Sequence, residues 1–289
     1  MKEALLFNEN RGDYMGAEEK AQSRFHEDAV AMLERFKLMD DDFFSEALDG
    51  KIDAVQFILN TVLERDDLKV IETKTQREYK SATKRSIKLD IWAQDEEGRI
   101  TDVEIQRADK GTGAKRARIH SSMIDRDLLE KGQEFDEVAE TYVIFITEND
   151  KYDAGLPVYH INRTIEELNH RSFEDESHIV YVNGAFRDKS HPIGRLMHDF
   201  WCTSADDMLN DVLAKEVRYM KESEEGRTSM CEMMEKMMKK VENNAKLEQL
   251  YILVQKGRLS LADAAEETGQ TVDEFKAGMD AYYAQLASA

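Results

Sequence analysis

The sequence of 289 residues predicts an α/β layer sandwich. Three changes of hydrophobic period along the chain support this prediction. Apolar residues recur at helical spacing over 52–62, alternate with polar residues over 87–106, and form a continuous run over 142–146. A helix, then strands, then a helix and a further strand is the order typical of a sheet covered by helices.

Two short helices open the predicted core. Three consecutive aspartates at 40–42 offer N-cap residues to a helix that continues through Leu48. Asp49-Gly50 is a turn signal, and the helical spacing of the second helix begins directly after it. We therefore expect a pair of helices before the first strand. A weakly specified amphipathic helical segment is expected to precede them over residues 1–39.

A hairpin is the best-defined part of the predicted sheet. A first strand begins near Leu68, and residues 87–94 and 102–106 then alternate apolar and polar side chains. Between these two segments, Glu96-Glu97-Gly98 predicts a three-residue loop with its glycine in the left-handed region. Such a loop pairs Asp95 with Arg99, which fixes the register of the hairpin.

That register places two pairs of polar residues opposite each other. Asp90 lies opposite Glu104, and Lys88 lies opposite Gln106. Because successive side chains alternate between the faces of a strand, all four are expected on one face. The other face is expected to carry Leu89, Ile91, Val103 and Ile105.

The remaining elements follow from periodicity and glycine positions. Residues 113–131 predict a helix that ends at Gly132, 142–147 a strand buried on both faces, and 158–161 and 179–182 further strands. From about residue 190 the pattern is helical, with segments at 205–222 and 228–256 and two short helices that meet at Gly269. The expected organisation is a segment at 1–39, a core at 40–185 and a helical C-terminal region at 186–289.

Two carboxylates that face each other on a sheet indicate either a metal site or a solvated surface. Opposed like charges destabilise strand pairing, and a divalent cation between them would reverse that effect. Oxygen ligands completed by water suit Mg²⁺ or Mn²⁺, which can activate a water for attack on a phosphoryl group. Gln106 could orient that water but carries no positive charge. The alternative is an ordinary polar face on which Asp90 and Glu104 pair with Lys88 and Arg107.

The spacing of these residues resembles that of a known enzyme superfamily. Asp90, thirteen intervening residues and then Glu104-Ile105-Gln106 is similar to the pattern of PD-(D/E)XK nucleases, and in particular of the recombination-promoting nuclease/transposase family. Two flanking motifs extend the resemblance over roughly 40–185. They are Asp42-Phe43-Phe44 at the start of a helix and the run of basic and small residues at 115–122.

The resemblance implies a restriction-endonuclease-like αβββαβ core with a helical C-terminal extension. It further implies a cytoplasmic, Mg²⁺- or Mn²⁺-dependent DNA endonuclease in which Asp90 and Glu104 bind the metal. Gln106 stands where most of the superfamily has a catalytic lysine, and Lys88 could provide the missing cation. Members often add a carboxylate from the first helix, for which Glu46 is the candidate.

The charge of the chain argues against a nucleic-acid partner only when it is summed over the whole sequence. The formal net charge is −20. Residues 69–118, however, hold thirteen Lys and Arg against nine Asp and Glu, a net charge of +4, which leaves −24 for the rest. Basic residues around the proposed site suit a phosphate-binding groove. The candidates for contact with DNA phosphates are Lys88, Lys115, Arg116 and Arg118.

Other expectations concern location and alternative roles. No apolar run approaches the about 20 residues of a membrane-spanning helix, no secretory signal is recognisable, and the two cysteines suit a reducing cytosol. His120 is expected to be a helix residue at the sheet interface. The tail at 259–275 resembles a helix-turn-helix, but acidic residues at its second helix favour a packing module that could form homo-oligomers. A non-catalytic binding or assembly protein with the same fold, and RNA as the substrate, both remain alternatives.

Overall fold

A computed structural model describes residues 32–79, 86–107, 113–129 and 131–287. Most of the predicted N-terminal segment lies outside these ranges. The helices are α1 (Asp41–Leu48), α2 (Ile52–Leu63), α3 (Ala114–Leu128), α4 (Pro192–Trp201), α5 (Asp211–Glu222), α6 (Glu224–Gln255), α7 (Leu261–Thr268) and α8 (Val272–Ala287). The strands are β1 (Val70–Tyr79), β2 (Ile87–Asp95), β3 (Ile100–Gln106), β4 (Thr141–Thr147), β5 (Val158–Ile161), β6 (Thr164–Ile165), β7 (Arg171–Ser172) and β8 (Ser177–Asn183).

Six strands form one mixed sheet in the order β1-β2-β3-β4-β8-β5. β2 is antiparallel to both β1 and β3, whereas β3, β4 and β8 run parallel, and β5 returns antiparallel to β8. The parallel step from β3 to β4 needs a crossover, which α3 supplies. The predicted restriction-endonuclease-like order of helix, three strands, helix and strand is confirmed, and β6 with β7 forms a separate small hairpin.

The hairpin of β2 and β3 has the predicted register. Ile91 pairs with Val103, and the backbone N–H of Asp95 donates to the carbonyl of Arg99 at 3.2 Å. Gly98 closes the loop with φ +80°, a left-handed conformation that costs glycine little because it has no Cβ. The glycine at this position therefore sets which residues of the two strands meet.

Helices cover both faces of the sheet. α3 packs on one face, where Trp92, Phe145 and Tyr181 from the strands meet Ala117 and Ile124. α1 contacts β1, β2 and β3, and α2 contacts β1. Every residue of β4 is buried, which agrees with its continuous apolar sequence. Burial of one such apolar side chain contributes roughly 1.5–3 kcal/mol, so the apolar residues of β4 stabilise the centre of the sheet beside β3.

The helical C-terminal residues fall into two compact units that divide between Met230 and Cys231. In the first unit, α4 and α5 pack on α2. In the second, α7 and α8 share a core with the end of α6 that includes Leu250, Tyr251 and Phe275. Gly269, at φ +68°, ends α7 as predicted. Among the residues that the structure describes, no helix is long and apolar enough to cross a membrane.

Candidate active site

Hydrogen bonds between β2 and β3 join the two predicted metal-binding carboxylates. The backbone N–H of Asp90 donates to Oε1 of Glu104 at 3.1 Å, and the backbone N–H of Ile105 donates to Oδ2 of Asp90 at 3.0 Å. In a continuous antiparallel ladder, backbone carbonyls would accept such bonds. Here each carboxylate accepts a hydrogen bond from a backbone N–H of the opposite strand, and the two bonds hold the side chains side by side.

A distortion of β1 and β2 at Asp90 makes this arrangement possible. Pairing of the two strands passes from Thr75–Ile91 to Arg77–Leu89, and the intervening Gln76 has φ +55°. Ser45 of α1 lies against this position. Its hydroxyl donates to the carbonyl of Asp90 at 3.4 Å and accepts from Nε2 of Gln76 at 2.8 Å. A helix residue therefore satisfies polar groups at the distorted pair.

The distortion also reverses the alternation of side chains along β2. Leu89 and Trp92, three positions apart, pack in the same core beneath α3. Arg77, the cross-strand partner of Leu89, lies 4.1 Å from the centroid of the Trp92 ring, which confirms the shared face. Lys88 is exposed and, as the neighbour of Leu89, faces the other way. From Ile91–Val103 to the loop the register of the hairpin is as predicted, but the predicted faces of Lys88 and Leu89 are wrong.

Arg116, in the first turn of α3, contacts the site directly. Its Nη2 donates to Oε2 of Glu104 at 2.7 Å, and its Nη1 donates to Oε1 of Gln106 at 2.8 Å. The Arg116 side chain is 40% exposed, whereas that of Glu104 is 1% exposed. A cation that reaches the surface thus covers a buried carboxylate. Gln106, at the end of β3, is tied to the same guanidinium.

Asp102 and His120 complete the cluster, and neither was predicted as a site residue. Nδ1 of His120 lies 2.9 Å from Oδ2 of Asp102 and 3.9 Å from Oε1 of Glu104. Both side chains are buried, and His120 lies at the interface of α3 with the sheet, as expected. Two signals could have revealed them. Asp102 precedes Glu104 by two residues on the same strand face, and His120 follows Arg116 by four residues on the same helix face.

Burial governs the ionisation of this cluster. It raises the pKa of Asp90, and the Glu104 charge raises it further. Burial likewise raises the pKa of Glu104, with Asp102 adding to the effect. The pKa of Asp102 rises well above its usual range because the side chain is wholly enclosed. Burial lowers the pKa of His120. The cluster therefore retains protons that a bound divalent cation would displace.

The residues present fit a divalent cation. Ligand atoms of Asp102, Glu104 and His120 all lie within 4.8 Å of one another. Oδ1 of Asp102 is buried and has no hydrogen-bond partner. A buried oxygen without a donor costs roughly 1–3 kcal/mol, and coordination would offset that cost. Both nitrogens of His120 are engaged, by Asp102 and by Arg116, so the carboxylate oxygens are the ligands offered, and these suit Mg²⁺ or Mn²⁺.

The other predicted residues lie around this cluster or apart from it. Lys115 and Arg118 are exposed on α3. Oε1 of Glu46 accepts a hydrogen bond from Ser229, so its carboxylate serves packing between α1 and α6. The acidic residue of α1 whose charge raises the pKa of Asp90 is instead Asp41.

Comparison with known protein families agrees with the fold. The family model of the PD-(D/E)XK nuclease family transposases matches residues 36–256, well over half of the chain. Neither the curated proteins nor the solved structures contain a match to this sequence. The matched residues include the whole six-stranded sheet and the cluster of Asp90, Glu104 and Gln106. The chain therefore belongs to the PD-(D/E)XK nuclease family transposases.

Proposed function

We propose that the chain is a divalent-metal-dependent endonuclease that hydrolyses DNA phosphodiester bonds. The observation that carries this proposal is the pair Asp90 and Glu104, joined across β2 and β3 in a member of a nuclease family. Opposed carboxylates with little access to solvent destabilise the protein unless positive charge offsets their repulsion, and Arg116 contacts Glu104 at 2.7 Å. Asp90 still calls for a further positive charge. A bound metal ion supplies one and at the same time serves the chemistry.

In this proposal each residue has a distinct task. Asp90 and Glu104 hold the ion, with Asp102 beside them. When bound, Mg²⁺ or Mn²⁺ would supply a Lewis acid that neutralises phosphoryl charge and lowers the pKa of a coordinated water. The side-chain amide of Gln106 is a donor that orients the water or the scissile phosphate. Lys115 and Arg118, both exposed on α3, contact the DNA backbone.

A plasmid-nicking assay with Mg²⁺ or Mn²⁺ tests this function. We expect Asp90→Asn and Glu104→Gln to abolish nicking, because both changes remove charge but preserve shape. Glu96→Gln is the matched control, since Glu96 is an exposed carboxylate in the loop of the same hairpin. If the wild type and Asp90→Asn are equally active, Asp90 is not required for cleavage and its proposed role as a metal ligand is wrong. Matched DNA and RNA substrates then decide which nucleic acid is cleaved.

One observation favours a second candidate, a non-catalytic protein that retains the fold. Gln106 lacks the charge of the usual lysine, and Glu104 already accepts a hydrogen bond from Arg116. Titration calorimetry with Mn²⁺ distinguishes the two candidates. The nuclease requires binding that Glu104→Gln abolishes, whereas the assembly protein requires none. Sedimentation analysis tests whether the helical C-terminal region forms the homo-oligomer expected of an assembly module.

A further inference from the structure

A chain of hydrogen bonds links the buried Asp102 to the guanidinium of Arg116. Oδ2 of Asp102 lies 2.9 Å from Nδ1 of His120, and Nε of Arg116 donates to Nε2 of His120 at 3.3 Å. The same guanidinium donates to Glu104 and Gln106 through its two other nitrogens. All three nitrogens of Arg116 are therefore engaged, which fixes the plane of the group.

These contacts determine which nitrogen of His120 carries the proton. Arginine has donors and no acceptor, so Nε2 of His120 must accept the bond from Arg116. Nδ1 then carries the hydrogen and donates it to Asp102. Asp102 thus selects the tautomer of His120, as a carboxylate does when it orients a histidine. The ring of Phe145 supports both partners, with its centroid 5.7 Å from the His120 ring and 5.7 Å from Cζ of Arg116.

Arg116 is the cation that the described structure places at this site. Lys88 faces away from it, and Arg107 is paired with Asp40 at 2.6 Å. A guanidinium has five donor hydrogens, of which these contacts use three. Because the Arg116 side chain is 40% exposed, it can bind a phosphate without releasing Glu104.

We propose that Arg116 is the catalytic cation of this site and that Asp102 and His120 are its positioning residues. The inference rests on the proposed nuclease function and extends it to residues of α3. Arg116 contributes the positive charge that Gln106 lacks, directed at the oxygens on which negative charge develops during cleavage. Asp102 and His120 keep the guanidinium in the orientation that this role requires.

Nicking kinetics of the full chain with Mn²⁺ test the role of Arg116. We expect Arg116→Ala to lower kcat by about 10²–10³-fold, the usual effect of removing one preorganised donor. Arg116→Lys should restore part of this loss, because lysine keeps the charge but not the forked geometry. Added guanidinium ion should also restore activity to Arg116→Ala. Arg126→Ala, on the exposed far part of the same helix, is the matched control.

His120 variants test the positioning role. His120→Gln retains an acceptor for Arg116 and should keep most activity, whereas His120→Leu should lower kcat about tenfold with KM unchanged, in line with a misplaced catalytic group. Guanidinium ion should not rescue His120→Leu, since Arg116 still fills the site. Histidine ¹⁵N NMR of the wild type gives a readout independent of cleavage, and we expect the Nδ1–H tautomer.

The outcomes separate this inference from the proposed function. If the wild type nicks DNA, Asp90→Asn does not, and Arg116→Ala is fully active, the nuclease assignment stands and the inference fails. If the His120→Leu variant retains the wild-type kcat, or if NMR shows an Nε2–H tautomer, the positioning role is overturned. If the wild-type chain cleaves no nucleic acid, the nuclease assignment and the catalytic role of Arg116 are both overturned. The NMR result alone then decides whether His120 donates to Asp102 and accepts from Arg116.

Discussion

At the scale of single residues, the site contains a part that local sequence determines and a part that it does not. The loop closed by Gly98 fixes the register, so the meeting of Asp90 and Glu104 could be predicted. His120 reaches Asp102 only because α3 packs on the sheet at one particular rotation. No local pattern encodes that rotation, since it depends on how distant apolar residues fit together.

The first residue-scale prediction concerns stability. Asp90→Asn should make the metal-free protein more stable by about 1 kcal/mol, because a neutral amide costs less to take out of water than a carboxylate and is not repelled by Glu104, while its amide oxygen can still accept a hydrogen bond from Ile105. The melting temperature should rise by about 2–4 °C per kcal/mol. Differential scanning fluorimetry in EDTA measures it, with Glu96→Gln as the control. A lower melting temperature would contradict the account.

The second residue-scale prediction concerns pH. Burial raises the pKa values of Asp90 and Glu104 in the folded protein, and the charges of neighbouring carboxylates raise them further, above the roughly 4 of an unfolded chain. Between the unfolded and the raised pKa values the folded state binds more protons, so the free energy of unfolding should fall as the pH rises above about 4. The fall should be shallower in Asp90→Asn than in the wild type, and saturating Mn²⁺ should remove it. Melting curves of both proteins across that range measure the effect. If stability falls equally with pH in the wild type and in Asp90→Asn, the prediction is wrong.

At the scale of elements, the helix pair and the hairpin were predictable because periodicity and turn residues act locally. The distortion of β1 and β2 at Asp90 could not be predicted in this way. Strict alternation placed Lys88 beside Asp90, but the unusual backbone of Gln76 and the contact with Ser45 reverse the faces. At this distortion a helix side chain, Ser45, donates to a strand carbonyl that would otherwise accept a hydrogen bond from the neighbouring strand. A period-two pattern in one strand cannot reveal such a contact.

The element-scale prediction tests whether α1 holds this distortion in place. Ser45→Ala leaves Gln76 and the Asp90 carbonyl without their partner, so we expect a loss of about 1–3 kcal/mol in stability. Because Asp90 shifts, Mn²⁺ affinity should fall as well. Ser122→Ala on α3 is the control, since its hydroxyl bonds only its own helix. Thermal melts and calorimetry measure both effects. A variant that loses stability but binds Mn²⁺ normally would show that the distortion is irrelevant to the site.

At the scale of the whole molecule, the distribution of charge matters more than its sum. The net charge of −20 would repel DNA, yet residues 69–118 carry +4 and contain the carboxylates of the candidate site together with Arg116. The second compact unit has its own apolar core. Contact with DNA is therefore expected on one face only, around the N-terminal half of α3.

The salt dependence of DNA binding tests this confinement. Each phosphate that a lysine or arginine neutralises contributes about −0.9 to the slope of log K against log salt. A small contact face should give a shallow slope, and Lys115→Ala and Arg118→Ala should each reduce it by about 1. Lys256→Ala, an exposed lysine of the second unit, should leave the slope unchanged. Fluorescence anisotropy with labelled duplex DNA in EDTA separates binding from cleavage. If Lys256→Ala lowers the slope as much as Lys115→Ala does, phosphate contact extends over both units and the acidic remainder of the chain does not exclude DNA.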